Sequence, residues 1–523
     1  MSSLGDSLLQ KNENSEQDEE KARFKSLSRD KFKVSEKRWF MILVFCILNM
    51  SNSMMWCTYS PISDLTEDFF GHVLPGNNTA VNMFTVVFYA LYLPGTILGT
   101  LVTKKTNIRG LILLGGVLTA IGGVFRCLGV ASISKVGPGW AYALTLFGQT
   151  LGAVANPFFM NIPASLASTW FAVDERDFAT AIATMCNPFG DVIGQILPPL
   201  LVTKRDNVDD DSNAVVDGML FLMIVEFGWT FVGLVLCYCF FDAAPPTPPS
   251  ASTYLRQESV SSVEETKLTL GRGSEDIVIS NDNSMNGNYV NNDSGHKRGE
   301  ISVEKKTTYE HSYQRLKLEY YELFSSRDYI MLFVAISVGV GTFNSVLGLL
   351  NQIVEDYDYS NGDAGWFGAI LVASGMFFAG IAGYIMDKTH AYRECLRYCF
   401  ILATLSLVFL LAMIYHNNFG WLCVASAALG TFSVGLSPFA IEMCAEITYP
   451  ISEDTSVGML LVGSNYAGIF ITFIVQELLN QPALGPPPLL PSSIFMITML
   501  VISVLAVYSF KGEYKRLYAD QNN

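Results

Sequence analysis

The amino-acid sequence predicts an all-α membrane protein in which twelve transmembrane helices form two six-helix halves. Of its 523 residues, 50% are hydrophobic and only 15% are charged, whereas a soluble domain carries about 25% charged residues. The hydrophobic residues are gathered into runs of about 20, the length that a helix needs to cross a bilayer. Two polar stretches, 1–38 and 242–327, have the composition of disordered chain. The sequence therefore divides into a tail, six spans, a long linker and six further spans.

Each span is predicted from one apolar run. In the N-terminal half, 39–241, the runs are 39–60, 81–103, 109–132, 138–161, 178–200 and 218–241. In the C-terminal half, 328–510, they are 328–350, 363–386, 396–415, 418–441, 456–477 and 491–510. A short tail, 511–523, follows the last span.

The basic residues are distributed unevenly between the two sides of the predicted membrane. If the twelve spans alternate in direction, 29 of the 33 lysines and arginines fall on the side of the two polar stretches. Cytoplasmic segments of membrane proteins are enriched in lysine and arginine. We therefore predict that both terminal tails and the linker are cytoplasmic.

The predicted outer face carries a glycosylation signal and no cysteine. Asn77-Asn78-Thr79 lies in the first outer loop, and its spacing makes Asn77, not Asn78, the glycosylation site. None of the ten cysteines lies in a predicted outer loop, so the sequence implies no disulfide framework. Arg126 lies near the outer end of the third span, where we expect its long side chain to reach the interface.

The sequence disfavours several classes of protein. It has no P-loop pattern, which argues against an ATP-driven pump. Its five histidines all fall in predicted loops, so the spans offer no histidine to a metal or a haem. We predict no enzyme, no catalytic residue, no cofactor and no metal. The expected partners are a lipid bilayer and a small-molecule substrate, with no nucleic acid, and the expected oligomeric state is a monomer.

The first span carries a line of polar residues. Asn49, Asn52, Ser53 and Trp56 follow three- and four-residue spacings, so they share one face of a helix. Polar side chains in lipid either bond to neighbouring helices or line a cavity. We interpret Asn49 and Ser53 as packing contacts and Trp56 as a wall of a cavity. The alternative for Trp56 is a place in the aromatic belt at the membrane interface.

The fifth span contains a buried acid. Asp191 falls in its middle, between Gly190 and Gly194, and Gln195 follows one turn later. A carboxylate at that depth costs roughly 2.5–3.5 kcal/mol on insertion scales and usually faces a cavity. We predict that Asp191 and Gln195 contact the substrate, with Asp191 pairing with a cation or carrying a coupling proton. The alternative is a structural hydrogen bond to a neighbouring helix.

The eighth span ends in a Gly-xxx-Asp-Lys pattern whose last residues are Asp387 and Lys388. This pattern and the six-plus-six layout resemble the major facilitator superfamily, in which two halves rock about a cavity at the membrane midplane. The matching stretch of the first half, 103–109, lacks the acidic residue. We predict that Asp387 and Lys388 act in gating. For Glu442 and Glu446, at the cytoplasmic end of the tenth span, we predict a structural or gating role rather than contact with the substrate.

Several stretches resemble the feline leukaemia virus subgroup C receptor family, and more closely its third branch than its two viral-receptor branches. They are KRWFMILVFCILNMSNSMMWCTYSPISD (37–64), FGQTLGAVANPFFMNIPASLASTWF (147–171), NPFGDVIGQILPP (187–199), GLLNQI (348–353), MDKTHAYRE (386–394) and EMCAEITYPISEDTSVGML (442–460). The resemblance covers nearly all of the membrane-embedded chain.

This resemblance implies a transporter of small organic solutes. The viral-receptor branches are associated with choline and ethanolamine uptake, and earlier with haem. Their cation pocket uses a Trp on the first helix, a Tyr on the seventh, and glutamines on the fourth and eleventh. By motif, these positions are Trp56, Asn344, Asn156 and Asn465. The aromatic ring of the seventh helix is therefore lost, and Tyr466 is a candidate replacement.

These observations predict a transporter of a small organic solute by alternating access, with a choline- or ethanolamine-like substrate. The predicted location is the plasma membrane rather than a lysosomal or other internal membrane. One alternative is transport of haem or another porphyrin, which would need a wide cavity with axial ligands. Another is a receptor or solute sensor that binds its ligand without moving it.

The predicted topology can be tested with a tag. A tag inserted near Ser284 should be stained only after permeabilisation, because the linker is cytoplasmic, whereas Asn77 should carry a glycan removable by glycosidase. Asn77→Gln is the control for the glycan. Staining of the tag on intact cells would contradict both the orientation and the two-half arrangement.

Overall fold

The computed structural model describes most of the membrane-embedded chain. The described residues are 34–71, 73–76, 78–103, 106–203, 211–247, 249, 317–389, 391–415, 418–451, 453–479, 481, 490–512, 514 and 515. Most of the predicted tail and linker, and the glycosylation residue Asn77, lie outside them. The predictions for those segments therefore stay predictions.

The described chain carries two sets of six long helices. The first to sixth spans are Arg38–Cys57, Thr79–Thr103, Ile108–Val136, Pro138–Met160, Val173–Leu201 and Asp211–Phe240. The seventh to twelfth are Arg327–Gly348, Asn361–Thr389, Tyr392–Tyr415, Phe419–Val434 continued by Leu436–Thr448, Glu453–Leu479, and Pro491–Ser509. The predicted fold class is confirmed.

Ten helices among the described residues are apolar and long enough to cross a membrane by composition alone. The other two long helices are the fourth and fifth spans, of 23 and 29 residues. These two spans carry the polar side chains of Gln149, Asn156, Asn187 and Asp191. Polar residues at membrane depth also occur on other spans, such as Asn49 and Asn52 on the first.

The first and seventh spans are both interrupted near their outer ends. The first helix ends at Cys57 and is followed by a short 3-10 turn, Ser60–Ile62, and a helix, Ser63–Phe70. The turn contains a proline, which lacks the backbone N–H that a continuous helix would use. The seventh helix ends at Gly348 and resumes as Leu350–Val354. The two breaks leave backbone carbonyls and polar side chains available for contacts between the halves.

The residues at the start of the first span form a small packed group with segment 164–180. Arg38 pairs with Glu175 at an N–O distance of 3.1 Å. The Trp39 ring meets Phe171 edge to face, with centroids 4.9 Å apart. This group ties the beginning of the first span to the start of the fifth.

A disulfide lies inside the first half. It joins Cys46 of the first span to Cys186 of the fifth, with Cα atoms 5.4 Å apart. The expectation that the chain carries no disulfide is therefore wrong. It considered cysteines in outer loops only, whereas this pair is formed by two helices that pack closely within the half.

Arg126 does not reach the membrane interface, so that prediction is also wrong. Its side chain is 1% exposed, and its Nη1 lies 2.7 Å from Oε2 of Glu226, which is 3% exposed. Thr58 Oγ1 donates to the other Glu226 oxygen at 2.7 Å. The Arg126 guanidinium also lies 5.1 Å from the centroid of the Tyr59 ring. The third and sixth spans thus hold an ion pair that fixes the chain at the break of the first span.

Removing one member of this pair should destabilise the first half strongly. Glu226→Gln keeps the volume but leaves the Arg126 charge uncompensated, which costs about 3–5 kcal/mol for a buried pair. Glu394→Gln is the matched control, since Glu394 pairs with Arg397 but its side chain is 47% exposed. That loss should be at most about 1 kcal/mol. Thermal unfolding in detergent compares the two variants, and equal losses would contradict the structural role of the buried pair.

Candidate functional site

A cavity of about 210 Å³ lies between the two halves. Side chains of six spans line it: the first, second, fourth and fifth of the N-terminal half, and the seventh and eleventh of the C-terminal half. The lining residues are Ser53, Trp56, Phe88, Tyr89, Tyr92, Asn156, Met160, Asn187, Asp191, Val340, Asn344, Leu461, Ser464 and Asn465. A concave site with a few convergent polar groups is the usual form of a small-molecule site.

Five of the six residues predicted to contact the substrate lie together in this cavity. They are Trp56, Asn156, Asn344, Asn465 and Asp191. The structure therefore brings together side chains that are up to 409 positions apart in the sequence.

Gln195 is the sixth predicted residue, and it is not among the lining side chains. It is 1% exposed, and a β-carbon at Gly368 of the eighth span would lie 2.8 Å from its Cδ. Its side chain is thus packed against the eighth span. The spacing of one helical turn predicted that Gln195 lies beside Asp191 in the cavity. At the level of Gln195, however, the fifth span packs against the eighth span of the other half.

Asp191 reaches the cavity because the fifth span approaches the first very closely. A β-carbon at Gly190 would lie 2.9 Å from Met50 Cα, so the close approach requires glycine there. Ser53 Oγ donates a hydrogen bond to Asp191 Oδ1, and Cys57 Sγ lies 3.7 Å from the same oxygen. Among the described residues, no cationic side chain pairs with this carboxylate. The cavity therefore has one acidic group without a protein counter-charge.

Trp56 faces the cavity from the turn before the break of the first span. It is partly exposed and meets Tyr89 edge to face, with centroids 6.0 Å apart. The aromatic residues of the second span, Phe88, Tyr89 and Tyr92, were not predicted from the sequence. The stretch FYALY (88–92) could have indicated an aromatic face, because Phe88 and Tyr92 are one helical turn apart. Tyr466, the candidate replacement ring, is not among the lining residues.

The polar face of the first span is used mainly for packing. Asn49 Nδ2 donates to the carbonyl oxygen of Ala183 at 3.3 Å, and Asn52 Nδ2 donates to that of Gly152 at 2.9 Å. Both asparagines are buried, and they join the first span to the fifth and the fourth. Ser53, which was also interpreted as a packing residue, both contacts Asp191 and lines the cavity.

Neutral hydrogen bonds connect the halves near the breaks of the first and seventh spans. Gln352 Nε2 donates to Asn82 Oδ1, and Asn82 Nδ2 donates to Gln476 Oε1, each at 2.8 Å. Ser60 Oγ donates to the carbonyl oxygen of Gly348 at 2.8 Å. The three amide side chains are buried. The two interrupted spans and the amide cluster thus join the halves at the end of the cavity that the sequence predicts to face outward.

The predicted gating residues lie outside the cavity lining. Lys388 is exposed, and its Nζ is 4.8 Å from the centroid of the Tyr384 ring. The side chain of Asp387 lies outside the described part of the chain. Glu446 is buried and Glu442 partly so, both on the second segment of the tenth span. Their role in gating stays a prediction.

The twelve-helix fold and a cavity between its halves define a membrane transport protein of the major facilitator type. A family model described as Major Facilitator Superfamily matches residues 41–472. The chain belongs to this superfamily. Its helices and cavity have the arrangement that the family uses for solutes.

Named relatives extend over almost the whole chain. Solute carrier family 49 member A3 of Xenopus tropicalis is 26% identical, over 94% of this chain and 90% of its own length. Choline/ethanolamine transporter flvcr2a of Danio rerio is 26% identical, over 93% of this chain and 88% of its own. The human Choline/ethanolamine transporter FLVCR2 is 24% identical over 94% of this chain and 80% of its own. The resemblance predicted from the sequence motifs is confirmed.

Solved structures agree on the fold. The D-xylose-proton symporter matches with a TM-score of 0.64 at 13% identity, covering 91% of this chain and 98% of its own. The inward-open xylose transporter XylE from E. coli matches with a TM-score of 0.63, covering 91% and 97%. At this identity the likeness establishes the fold alone.

Proposed function

We propose that this protein moves a small organic cation or zwitterion across a membrane by alternating access, and that the cavity between its halves is the binding site. The observation that carries the proposal is the carboxylate of Asp191, which lies in that cavity and has no cationic partner in the part of the chain that the structure describes. A charge at membrane depth is costly and is usually paired. A cationic solute supplies the missing partner.

The other lining groups suit the same kind of solute. Trp56 offers an indole face, and such a face attracts an ammonium group by about 0.5–2 kcal/mol. The amides of Asn156, Asn344 and Asn465 offer hydrogen bonds without fixing a charge. A hydroxyl or amino head group can therefore be held beside the charged one. Choline/ethanolamine transporters among the relatives make a choline- or ethanolamine-like solute the leading choice.

The size of the cavity argues against the porphyrin alternative. An engineered protein cavity of about 150 Å³ binds benzene, and the present cavity measures about 210 Å³. A solute somewhat larger than benzene fits this volume, whereas a porphyrin contains four five-membered rings and their bridges. The lining residues include no histidine and no cysteine, and their one methionine is Met160. A haem iron would therefore find few axial ligands.

The closed outer side supports alternating access. Ser60 with Gly348, and the amides of Asn82, Gln352 and Gln476, join the halves there. These bonds would have to open for a solute to enter from outside. We propose that the protein works as a monomeric transporter in the plasma membrane, not as an enzyme.

Flux measurements separate a transporter from a receptor or sensor. The full chain, reconstituted in vesicles, should take up labelled ethanolamine or choline faster than empty vesicles. Binding without uptake would support the sensor instead. Neither binding nor uptake would overturn the choice of an organic cation.

Loss of the cavity charge should impair cation transport. Asp191→Asn removes the charge at nearly constant volume, so uptake should fall at least about tenfold, the equivalent of 1.4 kcal/mol. Asp217→Asn, which neutralises an exposed carboxylate of the sixth span, should leave uptake unchanged. If the Asp191 variant is well folded and retains both its flux and its pH dependence, Asp191 has only a structural role.

The indole should contribute through its aromatic face. Trp56→Leu should weaken binding of a cationic solute by about 5–30-fold, the equivalent of roughly 1–2 kcal/mol. Trp56→Phe should retain much of the affinity, because a weaker aromatic face is kept. Affinity is measured by competition in the uptake assay.

Trp140→Leu is the control for this series. Trp140 is 72% exposed at the outer end of the fourth span, where it suits the interfacial belt, and its replacement should not alter affinity. If Trp56→Leu and Trp56→Phe lose the same affinity for the cation, the shape of the side chain and not cation–π attraction determines binding. If neither variant loses affinity, Trp56 does not belong to the binding site.

A further inference from the structure

We propose that the solute is a compact ammonium bearing N–H groups, that is, a protonated primary or secondary amine, and that a quaternary ammonium is a poor substrate. This inference rests on the proposed transport of an organic cation and names the substrate class within it. It follows from the direction in which three asparagine side chains of the cavity are held.

The orientation of Asn156 is fixed by a chain of hydrogen bonds that ends on the backbone. Asn52 Nδ2 donates to the carbonyl oxygen of Gly152 at 2.9 Å. A carbonyl can only accept, so the Asn52 atom facing it is the amide nitrogen, and Oδ1 lies on the opposite side. Asn156 Nδ2 then donates to that Oδ1 at 3.0 Å. The nitrogen of Asn156 is held by the first span, and its oxygen has no donor among the residues that the structure describes.

Asn187 is held in the same way from the fifth span. Asn49 Nδ2 donates to the carbonyl oxygen of Ala183 at 3.3 Å, which turns Asn49 Oδ1 toward Asn187. Asn187 Nδ2 donates to this oxygen at 3.0 Å. The amide oxygen of Asn187 is again left over, and no described residue donates to it.

Asn465 repeats the arrangement in the C-terminal half. Its Nδ2 donates to the carbonyl oxygen of Leu461, one turn earlier in the eleventh span, at 2.8 Å. Its Oδ1 receives no hydrogen bond from the described residues. Three lining asparagines on three different spans thus have an engaged nitrogen and an oxygen that is free to accept.

Asp191 adds a fourth acceptor to this set. Ser53 and Cys57 both approach Oδ1, so Oδ2 has no donor among the described residues. The cavity therefore offers one carboxylate oxygen and three amide oxygens. An ammonium with N–H groups satisfies such oxygens by charge-assisted hydrogen bonds. A quaternary ammonium presents only methyl groups and would leave them without donors, which carries a desolvation cost.

The aromatic residues do not compensate for that loss. A quaternary ammonium is typically recognised by a cage of aromatic faces. Phe88, Tyr89 and Tyr92 are only 4%, 3% and 6% exposed, so little of each ring is open to a solute. Trp56 is the one lining ring that is more than slightly exposed among the described residues. A single partly exposed ring does not make a cage.

The test is a methylation series of one amine. Ethanolamine, N-methylethanolamine, N,N-dimethylethanolamine and choline are all cations at pH 7, and they carry three, two, one and no N–H donors on the nitrogen. Uptake of labelled ethanolamine and choline, and competition by all four, are measured with the full chain in vesicles. Apparent affinity should fall along the series, and choline should be about 10–100-fold weaker than ethanolamine.

Two variants test the assignment to the fixed oxygens. Asn187→Leu and Asn465→Leu each remove one oxygen and should narrow the difference between ethanolamine and choline; two positions are used in case one variant folds poorly. Asn344→Leu is the matched control, because no described residue orients the Asn344 side-chain amide, which can turn either its oxygen or its nitrogen toward a solute. It should change the affinity for all four amines alike and preserve their ranking.

The possible outcomes separate this inference from the proposed function. Choline transported as well as ethanolamine, or better, would overturn the inference and leave cation transport standing. A ranking lost in Asn344→Leu but kept in the other two variants would overturn the role of the fixed oxygens. If none of the four amines binds or is transported, the proposed function itself fails.

Discussion

The arrangement of the site depends on the hydrogen bonds that the polar face of the first span makes inside the first half. Asn49 and Asn52 each donate to a backbone carbonyl of a neighbouring span. In a bilayer such side chains have no water to bond with, so they must find partners in the protein. The bonds fix the first span against the fourth and fifth, and they orient the asparagines that line the cavity. A packing requirement thus determines which atoms a solute meets.

The same half isolates its charges in two different ways. Arg126 and Glu226 neutralise each other behind the break of the first span, where Thr58 and Tyr59 complete the cluster. Asp191 contacts the hydroxyl of Ser53 and the thiol of Cys57, and no cationic side chain among the described residues pairs with it. One acid is therefore neutralised by the protein, whereas the other is the acid for which we propose a solute partner. Depth in the membrane alone does not distinguish them, since both lie within long spans.

The sequence was sufficient for the fold and for much of the cavity. Runs of about 20 apolar residues define the spans, and the polar periodicity of the first span and the mid-span position of Asp191 point to the site. It was not sufficient where the partner lies on another helix. Arg126 was misread because Glu226 is 100 positions away. The position of Gln195 outside the cavity lining could not be predicted, because helix periodicity does not show which neighbouring span a residue faces. Asn187 was missed because its place in the lining depends on contacts that appear only after folding.

The division of polar groups between the halves suits a protein whose halves must separate. The ion pairs Arg126–Glu226 and Arg397–Glu394 each lie within one half, so relative motion of the halves need not break them. The bonds that cross the outer interface, such as those of Asn82 with Gln352 and Gln476, are between neutral groups. A neutral hydrogen bond contributes only about 0.5–1.5 kcal/mol net when it is exchanged for water. These contacts between the halves are therefore specific in geometry but low in energy, so that the small free energy of binding one solute is enough to influence the balance between open and closed states.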